Sequence, residues 1–133
     1  NRDRAAVAAC RHRAQGGDAF EVLAGLARSR ASYDLVIVDP PSFAQRSADV
    51  DGALAAYGRL TGLALAVLRR GGVLVQASCS SRVPAARFYD VVLAAASRAG
   101  RPLQEIARTG HDIDHPATIP QAEYLKAGFW NVP

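Results

Sequence analysis

Four consecutive branched aliphatic residues, Leu35-Val36-Ile37-Val38, stop abruptly at Asp39-Pro40-Pro41. No other stretch constrains the fold as much. A short apolar run without polar alternation reads as a strand buried on both faces, as inside a parallel sheet. The prolines close it because they have no N–H to give to a ladder. A second strong strand, Val73-Leu74-Val75-Gln76-Ala77-Ser78, follows a helical pattern from about Asp49 to Arg69 with Leu54, Tyr57, Leu60, Leu63 and Leu65 among its apolar positions. Strand, helix, strand implies a right-handed crossover and a doubly wound α/β sheet.

The flanking chain fits that plan. Residues 3–10 are Ala-rich and predict the tail of a helix, and residues 12–17 predict a short strand. Asp18 is an N-cap candidate, with Glu21 three residues on, for a helix that places Phe20, Leu23, Leu26 and Ala27 at helical spacing to about Arg30. Gly71-Gly72 reads as the turn into the second strand. A further helix is expected from Pro84 to Ala99, with Gly100 as its C-terminal cap. Leu103–Thr109 and Tyr124–Trp130 are two more strand candidates, separated by a polar loop. The whole chain, 1–133, reads as one domain.

Composition narrows the class. Half of the 133 residues are apolar, enough for one core. No apolar run is long enough to cross a bilayer, and no signal core follows Asn1, which points to the cytoplasm. Two cysteines in unlike settings, Cys10 and Cys79, make no disulfide framework. Net charge is +4, and of the 16 basic residues 15 are arginine, a balance compatible with nucleic acid. The chain contains no methionine, so it is expected to be part of a longer protein.

In a doubly wound sheet, ligands bind beyond the carboxyl ends of the strands. That selects Asp18, the segment from Asp39 to Phe43, and the segment from Ser78 to Arg82. Asp39 and Cys79 each follow a strong strand; if those strands are neighbours, one thiol and one carboxylate converge on one flat ligand. A thiol there suits nucleophilic attack on carbon 6 of a cytosine, and a carboxylate suits its amino edge. A buried, inert cysteine is the competing reading for Cys79, and packing is the expectation for Cys10. The rigid Pro-Pro turn can cradle a base on which Phe43 stacks, or simply end a strand.

Tyr33-Asp34-Leu35-Val36-Ile37-Val38-Asp39-Pro40-Pro41-Ser42-Phe43 resembles motif IV of S-adenosylmethionine-dependent methyltransferases. With Gly71-Gly72-Val73-Leu74-Val75-Gln76-Ala77-Ser78-Cys79-Ser80, Asp114-His115-Pro116 and Glu123-Tyr124-Leu125-Lys126, the chain is similar to the PUA-domain-containing cytosine-5 methyltransferases of large-subunit ribosomal RNA. The resemblance implies a partial Rossmann-like fold: the C-terminal half of a catalytic domain, mostly parallel with an antiparallel final strand, its N-terminal strands missing. It implies S-adenosyl-L-methionine as cofactor, RNA as partner, and Cys79 as nucleophile with Asp39 orienting the cytosine. Asp18 and Ala19, with Asp39 and Pro40, would face the cofactor; Pro41, Phe43, Ser80 and His115 would face the substrate. Ser42 and Ser81 depart from the lysine and glycine often found in related sequences. The glycine-rich cofactor loop, the ribose-gripping acid and a PUA domain have no counterpart here. The chain alone is therefore expected to bind the cofactor poorly, to be inactive, and to self-associate as a homodimer through an unpaired sheet edge.

Other features are weaker. His111-Asp112-Ile113-Asp114-His115 lies in a loop, and no metal is expected. Arg82, Arg87, Arg98 and Arg101 are candidates for phosphate contacts, or are ordinary surface charge. Two other functions share the sequence pattern: methyl transfer to a base nitrogen with Cys79 structural, and a non-catalytic RNA-binding module.

Overall fold

The computed structural model describes residues 10–111 and 124–133. Their elements run in the order α1 (Ala19–Arg28), β1 (Tyr33–Val38), a 3-10 turn (Ser47–Asp49), α2 (Val50–Val67), β2 (Leu68–Ser78), α3 (Ala85–Arg98), β3 (Gln104–Thr109) and β4 (Lys126–Asn131). The strands form one sheet in the order β1-β2-β4-β3. β1 and β2 are parallel, while β4 runs antiparallel to both β2 and β3. Three strands thus share one direction and the last strand inserts against them, as expected for an α/β sheet of mostly parallel strands.

Local signals explain the element ends. The Asp18 carboxylate accepts from the backbone N–H groups of Phe20 at 2.9 Å and Glu21 at 3.1 Å, capping α1. α3 ends at Gly100, which takes a φ of +63°, while the Gly100 and Arg101 N–H groups close back on Ser97 and Ala96. Gly71-Gly72 is not the expected turn into β2. It lies within the strand, where a two-residue step along β1 (Tyr33 to Leu35) is matched by a five-residue step along β2 (Leu68 to Val73). Gly71 absorbs this kink at φ +71°, and its N–H donates to the Val132 carbonyl at 2.6 Å.

The helices pack on one face of the sheet, against Val36, Val38, Leu74 and Trp130. A line of aromatic rings runs through this layer, Phe43 to Tyr57 to Phe88 to Tyr89 to Trp130, with neighbouring centroids 5.1 to 6.2 Å apart. Gly128 is required beneath Trp130, because a Cβ there would run into the indole. Arg101 reaches the end of α2, where its guanidinium donates to the carbonyls of Leu65 and Leu68 at 2.8 Å each. It therefore caps a helix and is not a phosphate contact.

The opposite face is apolar and open among the described residues. Tyr33, Leu35 and Ile37 of β1 are 42, 51 and 64 % exposed. Expectations nearer the N-terminus fare less well. Residues 12–17 form no strand, since Gly16-Gly17 and the polar residues before them offer no apolar face to pair or bury. Cys10, expected to pack, is exposed. The helix expected at 3–10 falls, but for Cys10, outside the described residues. No described helix is long and apolar enough to cross a membrane.

Candidate functional site

Register brings the strand ends together. Val38 of β1 pairs with Gln76 of β2 in parallel, so Asp39 lies one residue past the pair and Cys79 three. Strand spacing and rise put their Cα atoms roughly 8 Å apart, close enough to flank one nucleobase. Cys79 is half-buried between two buried serines, Ser78 at 0 % and Ser80 at 1 % exposure. Alternation turns those two inward and leaves the Cys79 side chain on the other side of the turn. Asp39 is exposed at the tip of β1.

A buried polar network stiffens the Cys79 turn from below. The Thr61 hydroxyl donates to the Tyr57 carbonyl at 2.8 Å and meets the Gln76 side-chain oxygen at 2.9 Å, while the Gln76 amide donates to the same Tyr57 carbonyl at 3.2 Å. The Tyr57 hydroxyl and the Ser78 hydroxyl are 2.8 Å apart, and the Ser80 N–H donates to Ser78 Oγ at 3.3 Å. Burial raises the pKa of the Tyr57 phenol, against an opposing pull from its Ser78 hydrogen bond. The phenol stays protonated at neutral pH and the network stays intact. Buried polar networks of this kind favour one geometry.

One further bond joins the loops that carry Asp39 and Cys79, and another tightens the Asp39 loop itself. The Ser80 hydroxyl donates to the Ala44 carbonyl at 3.2 Å, and Ser42 donates to that carbonyl at 3.1 Å. Ser80, expected at the substrate, is thus a brace between the two loops. Phe43, expected to stack on a base, turns the other way: its ring packs 5.1 Å from Tyr57 and 6.4 Å from Phe20. Pro41 remains exposed and Pro40 is half-buried. His115 lies outside the described residues. His111 lies within them, where its Nε2 accepts from the Leu125 N–H at 3.1 Å and its ring meets Tyr124 edge-on. Of the arginines named above, Arg87 is paired with Asp51 at 2.9 Å.

Lys126 entered the sequence reading only as the end of the Glu123–Lys126 resemblance, with no role assigned to it. It is the only lysine of the chain, yet only 6 % exposed. It starts β4 opposite Ser78, and its ammonium donates to the carbonyls of Ser80 at 2.6 Å and Tyr124 at 3.0 Å. Burial lowers its pKa, with negative charge on Cys79 pulling the other way. An ionisable residue opening an otherwise apolar strand was the available signal.

Beside the tip of β1 lies a slot of about 300 Å³, walled by Ala19, Val22, Leu23, Val38 and Leu60, with Asp39 and Pro40 at one end. Apolar walls and one carboxylate suit a flat heteroaromatic ring. Three of the four expected cofactor residues line it. Asp18 does not; it borders a neighbouring depression with Glu21 and Ser29, and its carboxylate caps α1.

The sheet order, the inserted antiparallel strand and the paired strand tips define the fold of S-adenosylmethionine-dependent methyltransferases. Two solved structures share it at 20 % identity. One is a protein of Streptococcus mutans described as a candidate S-adenosylmethionine-dependent methyltransferase, with TM-score 0.71 over 87 % of this chain and 30 % of that one. The other is a candidate DNA modification methylase of Thermus thermophilus in complex with S-adenosyl-L-methionine, with TM-score 0.59 over 92 % and 54 %. In sequence, the chain is similar to a ribosomal RNA large subunit methyltransferase of Deinococcus radiodurans, 46 % identical over 118 residues, which is 89 % of this chain. The chain spans 29 % of that relative's length. No family model matches it.

Proposed function

We propose that this chain is part of a cytoplasmic S-adenosyl-L-methionine-dependent enzyme that methylates carbon 5 of a cytosine in large-subunit ribosomal RNA, with Cys79 as nucleophile. The observation that carries the reading is the parallel register of β1 and β2, which sets Asp39 and Cys79 beyond adjacent strand tips. Similarity to a ribosomal RNA large subunit methyltransferase supports the substrate class.

The slot beside β1 fits the adenine portion of the cofactor, held by Ala19 and Pro40 with Asp39 at its end. When bound, S-adenosylmethionine supplies an electrophilic sulfonium methyl group. Cys79, as thiolate, adds to carbon 6 of the cytosine, and the electron pair displaced from the ring double bond makes carbon 5 nucleophilic. Asp39 accepts a hydrogen bond from the exocyclic amine, which orients the ring. Once carbon 5 has been methylated it gives its proton to water, the C5–H electron pair re-forms the ring double bond, and the C6–S bond breaks to release the thiolate. Pro41 offers an exposed wall to the base. Tyr57, Ser78 and Ser80 do not touch the substrate; they hold the thiol in place. The open apolar face of β1 supports self-association of the chain on its own.

Fluorine at carbon 5 cannot leave as a proton does, so RNA carrying 5-fluorocytidine should trap the complete gene product as a covalent adduct in the presence of cofactor. Cys79→Ala should abolish the adduct. Methyl transfer to a base nitrogen, or RNA binding without turnover, would give no adduct with either protein.

A further inference from the structure

On the far side of the Cys79 turn from the β1 slot lies a larger cavity of about 610 Å³, lined among others by Ser81, Pro84, Ala85, Tyr89, Arg108 and Lys126. Ser81 is two residues past Cys79, a reach of roughly 7 Å in extended chain. That distance is on the order of one nucleotide step.

Its chemistry favours an anion from three directions. The Lys126 ammonium, 94 % buried by the exposure given above, lies in the wall with two of its three donors held by carbonyls. The Arg108 guanidinium carbon lies over Tyr89, 4.1 Å from the ring centroid, and its Nε and Nη2 are held by the Glu105 carboxylate at 2.9 and 2.7 Å. Stacked and tethered in this way, the guanidinium loses little freedom on binding. The start of α3 opens at the same cavity: Pro84 provides no side-chain cap, and the first turn carries no acidic residue. Its first N–H groups and the positive end of the helix dipole are therefore available. No carboxylate is among the described lining residues.

We propose that this cavity is an RNA subsite that receives the phosphodiester next to the target nucleotide, with Arg108 as the principal anion-binding side chain. The inference rests on RNA being the substrate. Arg108 is 44 % exposed at its side chain, so it can exchange water for a phosphate oxygen while keeping Glu105. Tyr89 and Arg108 both line the cavity, so the ring holds the guanidinium in its wall.

The test uses the complete gene product carrying Cys79→Ala, which removes the chemistry, and follows binding of a fluorescent single-stranded RNA by anisotropy across a salt series. Each phosphate contact contributes roughly 0.7 to the slope of log K against log salt for a single strand. Arg108→Gln should make the slope shallower by about that amount and weaken binding by roughly tenfold. Arg108→Lys, which keeps the charge on a slimmer side chain, should retain the slope, and Arg70→Gln, exposed at the end of β2 away from the Cys79 turn, should leave both quantities unchanged. An Arg108→Gln slope equal to that of the parent, or an equal loss in Arg70→Gln, overturns the subsite. An adduct with 5-fluorocytidine RNA together with an unchanged Arg108→Gln slope sinks the subsite alone. A reduced slope without any adduct sinks the Cys79 chemistry alone.

Discussion

Removing the hydroxyl of Tyr57 tests whether the network under the Cys79 turn acts as a unit. Tyr57→Phe keeps a fully buried ring against Phe43 and Phe88 and deletes the hydroxyl that contacts Ser78 at 2.8 Å and the Phe43 backbone. A buried hydroxyl left without its partner costs about 1–2 kcal/mol. Ser78→Ala removes the partner of Tyr57 and also the acceptor of the Ser80 N–H, so it should cost more, about 2–3 kcal/mol. In the double variant neither hydroxyl is stranded. Its cost should fall short of the sum by about 1 kcal/mol. Urea unfolding of the four proteins measures this directly: with a slope of 1–2 kcal/mol/M, Tyr57→Phe should lower the midpoint by about 1 M. Losses that add to within about 0.3 kcal/mol would show that the two hydroxyls are energetically independent, and the argument for a stiffened turn would fail.

Two other outcomes follow from packing and charge. Gly128→Ala should destabilise the chain by about 1–3 kcal/mol, because the new methyl meets a wholly buried Trp130; a thermal midpoint equal to that of the parent would contradict it. Lys126 has its pKa lowered by burial, so the unfolded chain holds that proton to higher pH than the folded one. The parent should therefore gain stability relative to Lys126→Met as pH rises from the lowered folded pKa toward the ordinary lysine value of 10.5, and a flat difference between the two unfolding curves over that range would refute it.

The strands around Leu35–Val38 and Val73–Ser78 were legible because β-branched runs closed by proline or glycine have few alternatives. Asp18 and Gly100 were legible as caps because capping depends on a single residue and its immediate neighbours. What the sequence hid was direction. Phe43 and Ser80 sit in the right loops, but whether a side chain faces the ligand or the core depends on α1 and α2, which a local pattern does not register. Arg101 shows the same limit: an arginine after a helix looks solvated until the end of another helix arrives beside it. Gly71-Gly72 looked like a turn because paired glycines usually are one; here they let a strand kink and continue. Lys126 was passed over because a lone lysine is by default a surface residue.

That the sole lysine lies under a loop, with every other cationic side chain an arginine, has a practical consequence at the bench. Amine-reactive dyes and cross-linkers should modify Lys126 slowly while this part of the protein is folded, because its ammonium is buried and held by two carbonyls. The same reagents applied during unfolding would report the moment Lys126 is released, a chemical clock for the opening of the turn it supports.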